Sequence, residues 1–317
     1  MDIEPPETFS IVGAGRVASA LSRALEQRDI RALVVANRTL EAAKILAAQL
    51  EGARGSSLND LKDLPGDLVV LCISDDALVR VAEMIAEQVA GPSDDWTGRL
   101  VIHTSGTWTS DILAAFNEAG ALTASFHPLQ TFANRESQTA DIAGFNRLPI
   151  GIEGDERAAS AASAVARALG STPFIVSASA KGLFHAAAVM ASNYLVTLQA
   201  MAQELSEVAL GEDDPEGGRY SDLFGELTKQ ALSNTLRLGP RDALTGPIVR
   251  GDIRVLHQHL QQIKEHAPHL TTVYAALATE TIRLASDSGR VNHEIAEVML
   301  DLLTEYLPSE PRGDILG

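Results

Sequence analysis

The chain has 317 residues, 45% of them apolar and 21% charged, the composition of a folded globular protein of about two domains. It carries 25 Lys+Arg against 42 Asp+Glu, a net charge of −17, divided as 14 basic and 23 acidic residues up to position 177 and 11 and 19 beyond it. Neither part has the clustered cations that nucleic acid or an anionic membrane surface needs, so both are excluded as principal partners, whereas a small anionic ligand needs only local cations and backbone N–H groups.

In chain order, Phe9 to Val12 is a short apolar run ending in Gly13-Ala14-Gly15, and Arg16 to Gln27 follows with helical spacing of Val17, Leu21, Ala24 and Leu25. Ala32–Ala36, Leu68–Ile73, Leu100–His103, Ala124–Phe126, Pro149–Ile152 and Pro173–Val176 read as further strands. Between them Leu40–Leu50, Ala77–Val89, Asp111–Glu118 and Asp155–Leu169 read as helices. Such alternation with short connections predicts a doubly wound parallel α/β sheet covered on both faces. Beyond about residue 177 strands cease, and Lys181–Leu210, Tyr220–Leu238, Asp252–Glu265, His269–Ser286 and Val291–Tyr306 read as helices, with a polar loop at Gly211–Gly218. The expected organisation is an α/β domain over 1–177 and an all-α domain over 178–317.

Cys72 is the only cysteine, which excludes intrachain disulfides and Cys-based zinc sites and fits a reducing cytoplasm. Met1 to Thr8 has no signal-peptide pattern, and the longest apolar stretch, 182–198, contains His185, Ser192, Asn193 and Thr197, as a buried helix would and a membrane span would not. No metal site is expected. His257, His259, His266 and His269 lie on or near one helix without a carboxylate at ligand spacing.

Gly13-Ala-Gly-Arg16-Val17-Ala18 fits G-x-G-x-x-[G/A] between a strand and a helix. The first glycine permits a tight turn and the second a close approach of backbone to a pyrophosphate, while Ala18 lets the helix pack near the strand. The second strand ends in Asn37-Arg38-Thr39, where an acid would select the 2′-hydroxyl of NAD. A guanidinium and a hydroxyl instead suit a 2′-phosphate, so the expected cofactor is NADP(H). Ser74-Asp75-Asp76 and His103-Thr104-Ser105-Gly106 follow two later strands and are expected to line the same cleft, although Asp75 and Asp76 also suit the start of a helix and His103 a packed strand end.

His127, before Pro128, suits either a cleft or a loop carbonyl. At about 100° per residue Lys181, His185, Ser192 and Gln199 fall within about 40° of one another, a polar stripe that either packs on neighbouring helices or lines a substrate pocket with Asn193 beside it. Arg250, in Leu244-Thr-Gly-Pro-Ile-Val-Arg-Gly-Asp252, is a candidate anion binder, and Asp252 suits an N-cap.

Taken in order, G-A-G-R-V-A, A-N-R-T, C-I-S-D-D-A-L, H-T-S-G, F-H-P-L-Q-T-F, H-A-A-A-V-M-A-S-N-Y-L-V and L-T-G-P-I-V-R-G-D resemble the Rossmann-like proteins with a C-terminal domain of unknown function 2520, over nearly the whole chain. The wider fold is similar to the 6-phosphogluconate dehydrogenase superfamily, with 3-hydroxyisobutyrate dehydrogenase, pyrroline-5-carboxylate reductase and ketopantoate reductase. The resemblance implies a nicotinamide-dependent oxidoreductase of a small-molecule substrate, homodimeric through its helical domain. The hydroxyacid dehydrogenases of that superfamily carry a lysine one turn before an asparagine. Asn193 matches the asparagine, but Val189 stands in the lysine's place, with His185 and Lys181 further upstream. His185 is therefore the first choice of general acid, with Lys181 or His127 behind it. By analogy Ser105 and Gly106 would hold a substrate carboxylate, with Ser192 and Arg250 on the substrate side. A nucleotide-binding sensor without catalysis is the alternative.

Overall fold

A computed structural model of the chain describes residues 4–89, 96–132, 145–211 and 220–307. The expected loop at Gly211–Gly218 lies, apart from Gly211, outside the described residues. The strands are β1 (Thr8–Val12), β2 (Arg31–Asn37), β3 (Arg54–Ser57), β4 (Leu68–Leu71), β5 (Leu100–His103), β6 (Leu122–Pro128), β7 (Pro149–Gly154) and β8 (Thr172–Ile175). They form one sheet in the order β3-β2-β1-β4-β5-β6-β7-β8. The first six follow the order of a doubly wound dinucleotide fold, whose ligand crevice opens where the order reverses, between β1 and β4.

Two features correct the sequence reading. The sheet is not wholly parallel, because β7 runs antiparallel to β6, with Ser125 opposite Glu153 and His127 opposite Gly151. β3, Arg-Gly-Ser-Ser, has no apolar signal; it is an edge strand held by pairing along Val34 to Asn37 of β2.

The helices among these strands are α1 (Arg16–Glu26), α2 (Leu40–Ala47), α3 (Asp75–Val89), α4 (Ala114–Glu118) and α5 (Glu156–Ala168). The strand pleat sorts the core into two layers. Ile11, Val35, Val70 and Ile102 join the cluster that includes α1 and α5, while Val12, Val34, Ala36, Val69, Leu71 and Val101 join the one that includes α3. Every residue of β4 is buried, as expected for a strand covered on both faces. Each large apolar side chain so enclosed stabilises the fold by about 1.5–3 kcal/mol. On α5 a run of small alanines lets the helix lie close to the sheet, and Asp155 caps it by accepting from the Ala158 N–H at 2.8 Å.

Strands end at Ile175, and the chain divides into two compact units at Asn193/Tyr194, one helix beyond the expected boundary at 177. That helix, α6 (Lys181–Ala191), belongs to the first unit. The single helix expected over Lys181–Leu210 is broken at Ser192, whose φ of −124° and ψ of −72° separate α6 from α7 (Asn193–Leu210). The Ser192 hydroxyl lies 2.7 Å from the Ala188 carbonyl and 3.0 Å from Asn193 Oδ1, so it competes for the helix's own acceptors. Ser192 and Gln199 therefore do not continue one regular stripe.

The second unit contains α8 (Tyr220–Leu238), a short α9 (Pro240–Ala243), α10 (Ile253–His266), α11 (Thr271–Asp287) and α12 (His293–Thr304). Its core joins Leu256, Leu260, Ala275, Ile282, Met299 and Leu303. Among the described residues no helix is long and apolar enough to cross a membrane.

Candidate nucleotide site and the adjoining histidine cluster

The turn after β1 is built for close approach. Gly13 has φ +112°, and a Cβ there would stand 2.1 Å from the Cys72 carbonyl oxygen at the end of β4. The strands meet at this point through Gly13 N–H to the Ala36 carbonyl and Cys72 N–H to the Val12 carbonyl, both 2.7 Å. Gly15 occupies the N-cap of α1, no side chain caps the helix, no acid stands in its first turn, and a Cβ on Gly15 would meet nothing within 4 Å. The start of α1 thus carries neither a side-chain cap nor an acid that would compete with an anion. Val17 is half-buried and Ala18 fully buried, while exposed Arg16 donates to the Phe132 carbonyl at 3.2 Å.

A cavity of about 970 Å³ opens on this turn, bounded by Gly13 to Gly15, Asn37, Arg38, Thr39, Cys72 and Ser74. Asn37 Nδ2 donates to the Thr39 carbonyl at 3.3 Å and to Thr39 Oγ1 at 3.1 Å, fastening the turn that presents exposed Arg38. The remaining wall, missed by sequence reasoning, is Ala42, Leu58 and Asn59 with Ala77, Arg80, Val81 and Met84 of α3. Positions 77, 80, 81 and 84 follow the spacing of one helix face, the signal that could have found them. Asp75 lies in the first turn of α3, and its carbonyl accepts from Trp108 Nε1 at 3.2 Å. Burial pushes the Cys72 thiol up to about 12, so it stays protonated.

A second cluster follows β5. His103 is fully buried, and burial with the nearby Lys181 charge lowers its pKa to about 3. Its Nε2–H donates to the Thr109 carbonyl at 3.1 Å while Nδ1 accepts from the Ser105 N–H at 3.2 Å, so both nitrogens of this neutral ring, expected to face the cofactor, are engaged inside the loop. The Ser105 hydroxyl accepts from the N–H groups of Thr107 and Trp108, both 3.1 Å.

Lys181 is 4% exposed; its Nζ donates to the Ser105 carbonyl at 3.3 Å and, closely, to Ser125 Oγ. Burial lowers its pKa, and the Glu153 and Asp75 carboxylates oppose that shift. Glu153 on β7 is buried and accepts from the Ser110 N–H at 2.7 Å and hydroxyl at 3.0 Å. Ser125 and Glu153 were missed; the signal was polar Thr123, Ser125 and His127 alternating along an otherwise apolar strand.

The His127 and His185 rings meet edge to face at 5.4 Å. Burial, with the His185 and Lys181 charges, lowers the His127 pKa to about 4. Gly106 lies between the two rings, and a Cβ there would stand 2.3 Å from His185 Nδ1 and 2.8 Å from His127 Cε1. His185 Nδ1 is buried with no hydrogen-bond partner among the described residues. A small cavity of about 10 Å³, room for about one water molecule, touches Gly106, His127 and Lys181.

The structure thus gathers Ser105, Gly106, His127, Lys181 and His185, all within the first unit. Asn193 is exposed at the start of α7. Arg250 belongs to the second unit, where its Nε donates to Asp252 at 2.9 Å. Asp252 holds the N-cap position of α10, but its carboxylate binds Arg250 rather than capping the helix.

Two families match the chain, a Rossmann-like domain over residues 2–128 and a domain of unknown function 2520 over residues 148–281. A solved structure of a candidate NADP oxidoreductase from Bacteroides fragilis is 23% identical, covers 87% of this chain and 97% of its own, and superposes with a TM-score of 0.68. An imine reductase from Myxococcus stipitatus, solved in complex with NADP+, is 18% identical over 92% of this chain and 99% of its own, with a TM-score of 0.58. At these identities the likeness establishes the fold. The glutamyl-tRNA reductase of Methanocella arvoryzae is 34% identical over 85 residues, 26% of this chain, and the match spans only 20% of that enzyme's length. Glycine turn, strand order and helical second part agree with both family matches, and the chain belongs to the Rossmann-like proteins that carry a domain of unknown function 2520.

Proposed function

We propose that the chain is an NADPH-dependent reductase of a small oxo-acid or imine, with ketopantoate-like 2-oxo acids as the first class to try. One observation carries the reading. A cavity of about 970 Å³ joins the glycine turn to Asn37-Arg38-Thr39, and among the described residues no Asp or Glu lines it. A carboxylate at the end of β2 would repel a 2′-phosphate, whereas Arg38 and Thr39 would hold it; Gly13, Gly15 and the start of α1 would hold the pyrophosphate. An imine reductase solved with NADP+ has the same fold.

Bound NADPH would supply a hydride to the carbonyl or imine carbon. The chain supplies the proton and the charge. His185 is the proton donor in this reading, because His103 is committed to its loop and His127 is held neutral by burial. His127 orients the His185 ring, Gly106 leaves room for both, and Lys181 provides a buried positive charge near the developing negative oxygen. The carbonyl oxygen or imine nitrogen takes the proton, giving an alcohol or an amine.

The alternative is a non-catalytic NADP sensor, favoured by Val189 one turn before Asn193 and by a Lys181 ammonium directed at Ser105 and Ser125. NADPH oxidation across a panel of 2-oxo acids and cyclic imines separates the two readings. Turnover, with His185→Ala lowering kcat by about 100-fold or more at unchanged NADPH affinity, supports the reductase. Tight NADPH binding with no turnover supports the sensor.

We also propose a homodimer formed through the helical part. Val196 on α7 is 70% exposed, and Leu227 and Leu236 on α8 are 67% and 79% exposed, apolar surface that a second copy would cover.

A further inference from the structure

We propose that Arg80 on α3, together with Arg38, recognises the 2′-phosphate and so sets the preference for NADPH. This rests on reading the cavity as a nucleotide site. Sequence motifs point only to the end of β2, and nothing about a helix two strands away in the sheet order announces a phosphate ligand.

The face of α3 turned to the cavity consists of Ala77, Arg80, Val81 and Met84. Three of the four are apolar and suit the flat face of a base. Arg80 is the exception, a charged side chain on that face, and among the described residues Arg38 is the only other cation lining the cavity. Both are exposed, and neither has an ion-pair or hydrogen-bond partner among the described residues. In a chain of net charge −17, two guanidinium groups open onto one cavity, and among the described residues no lining carboxylate answers them. Two guanidinium groups lining one cavity suit a dianion that both can reach. A phosphomonoester carries about −1.5 to −2 charges and three acceptor oxygens, enough for two planar forks at once. A ribose 2′-hydroxyl offers neither. The rival use of Arg80 is stacking on the adenine, which would serve NADH and NADPH alike.

The two uses separate in calorimetric titrations of the full chain and its Arg80→Ala variant with 2′,5′-ADP, 5′-AMP, NADPH and NADH. The expected result is that the variant binds 2′,5′-ADP and NADPH about tenfold more weakly or worse, while 5′-AMP and NADH stay within about twofold. Arg80→Lys, which keeps a point charge and loses the fork, should fall between. Equal weakening of all four ligands would assign Arg80 to the base and overturn the proposal, as would no change in any of them. A wild-type chain that binds NADH as tightly as NADPH would overturn it while leaving the nucleotide site standing. Binding of none of the four would remove the nucleotide reading and the proposal together.

Discussion

Gly106→Ala tests the histidine cluster with the smallest possible change. The new methyl would stand 2.3 Å from His185 Nδ1 and 2.8 Å from His127 Cε1, where ordinary contact begins at 3.4 Å. The His185 ring must therefore retreat by about 1.1 Å and the His127 ring by about half as much. Gly106 is not in the left-handed region, so the substitution adds no backbone strain and acts through crowding alone. Overpacking of this size costs about 1–3 kcal/mol, a small part of the stability of a chain this long. Displacing a proton donor by about 1 Å costs on the order of 100-fold in rate. The expected outcome is a folded variant with unchanged NADPH affinity, altered imidazole resonances for His127 and His185, and turnover lowered about 100-fold. Thermal denaturation, nucleotide titration, histidine-detected NMR and NADPH oxidation read these four quantities. Wild-type turnover in the variant would refute the cluster's part in catalysis, and a loss of NADPH affinity equal to the loss of rate would move Gly106 to the cofactor.

Two further outcomes follow from the same structure. His103 and His127 have folded pKa values of about 3 and about 4 against an ordinary 6.5, so the unfolded chain takes up protons that the folded chain refuses. Stability is then complete above about pH 6.5 and falls on acidification, by about 2 kcal/mol for each histidine between pH 8 and pH 5; a melting temperature flat over that range would contradict the assigned burial. The apolar surface of α7 and α8 predicts a dimer in analytical ultracentrifugation, shifted toward monomer by Leu236→Glu, whereas a wild-type monomer at tens of micromolar would remove the dimer proposal.

What the sequence made legible was what depends on local pattern. Apolar runs marked seven of the eight strands, and the glycine motif sat at the β1–α1 turn, where Gly13 is required by a neighbouring carbonyl. Arg-Gly-Ser-Ser of β3 was invisible because an edge strand is held by its partner's backbone and needs no apolar face of its own. Strand direction is equally hidden, since an apolar run reads the same both ways and nothing in Pro149–Ile152 announces that β7 runs antiparallel to β6. Periodicity followed α6 through into α7 because it registers side-chain character and not the backbone break at Ser192. His103 and His127 stood at strand ends in the sequence, but only the fold distinguishes a ring with both nitrogens engaged from one packed against a second histidine. Arg80 was missed for the opposite reason. Its helix spacing was visible, while its relation to Arg38 exists only in three dimensions.

In the proposed reading the negatively charged chain holds a cavity made for a more negative nucleotide. Calorimetric titration of the wild-type chain with NADPH and NADH in the same buffer tests it most directly. The expected result is saturable NADPH binding at least about tenfold tighter than NADH, with affinity falling as salt is raised. NADH binding as tight or tighter, or no binding of either nucleotide, would contradict it.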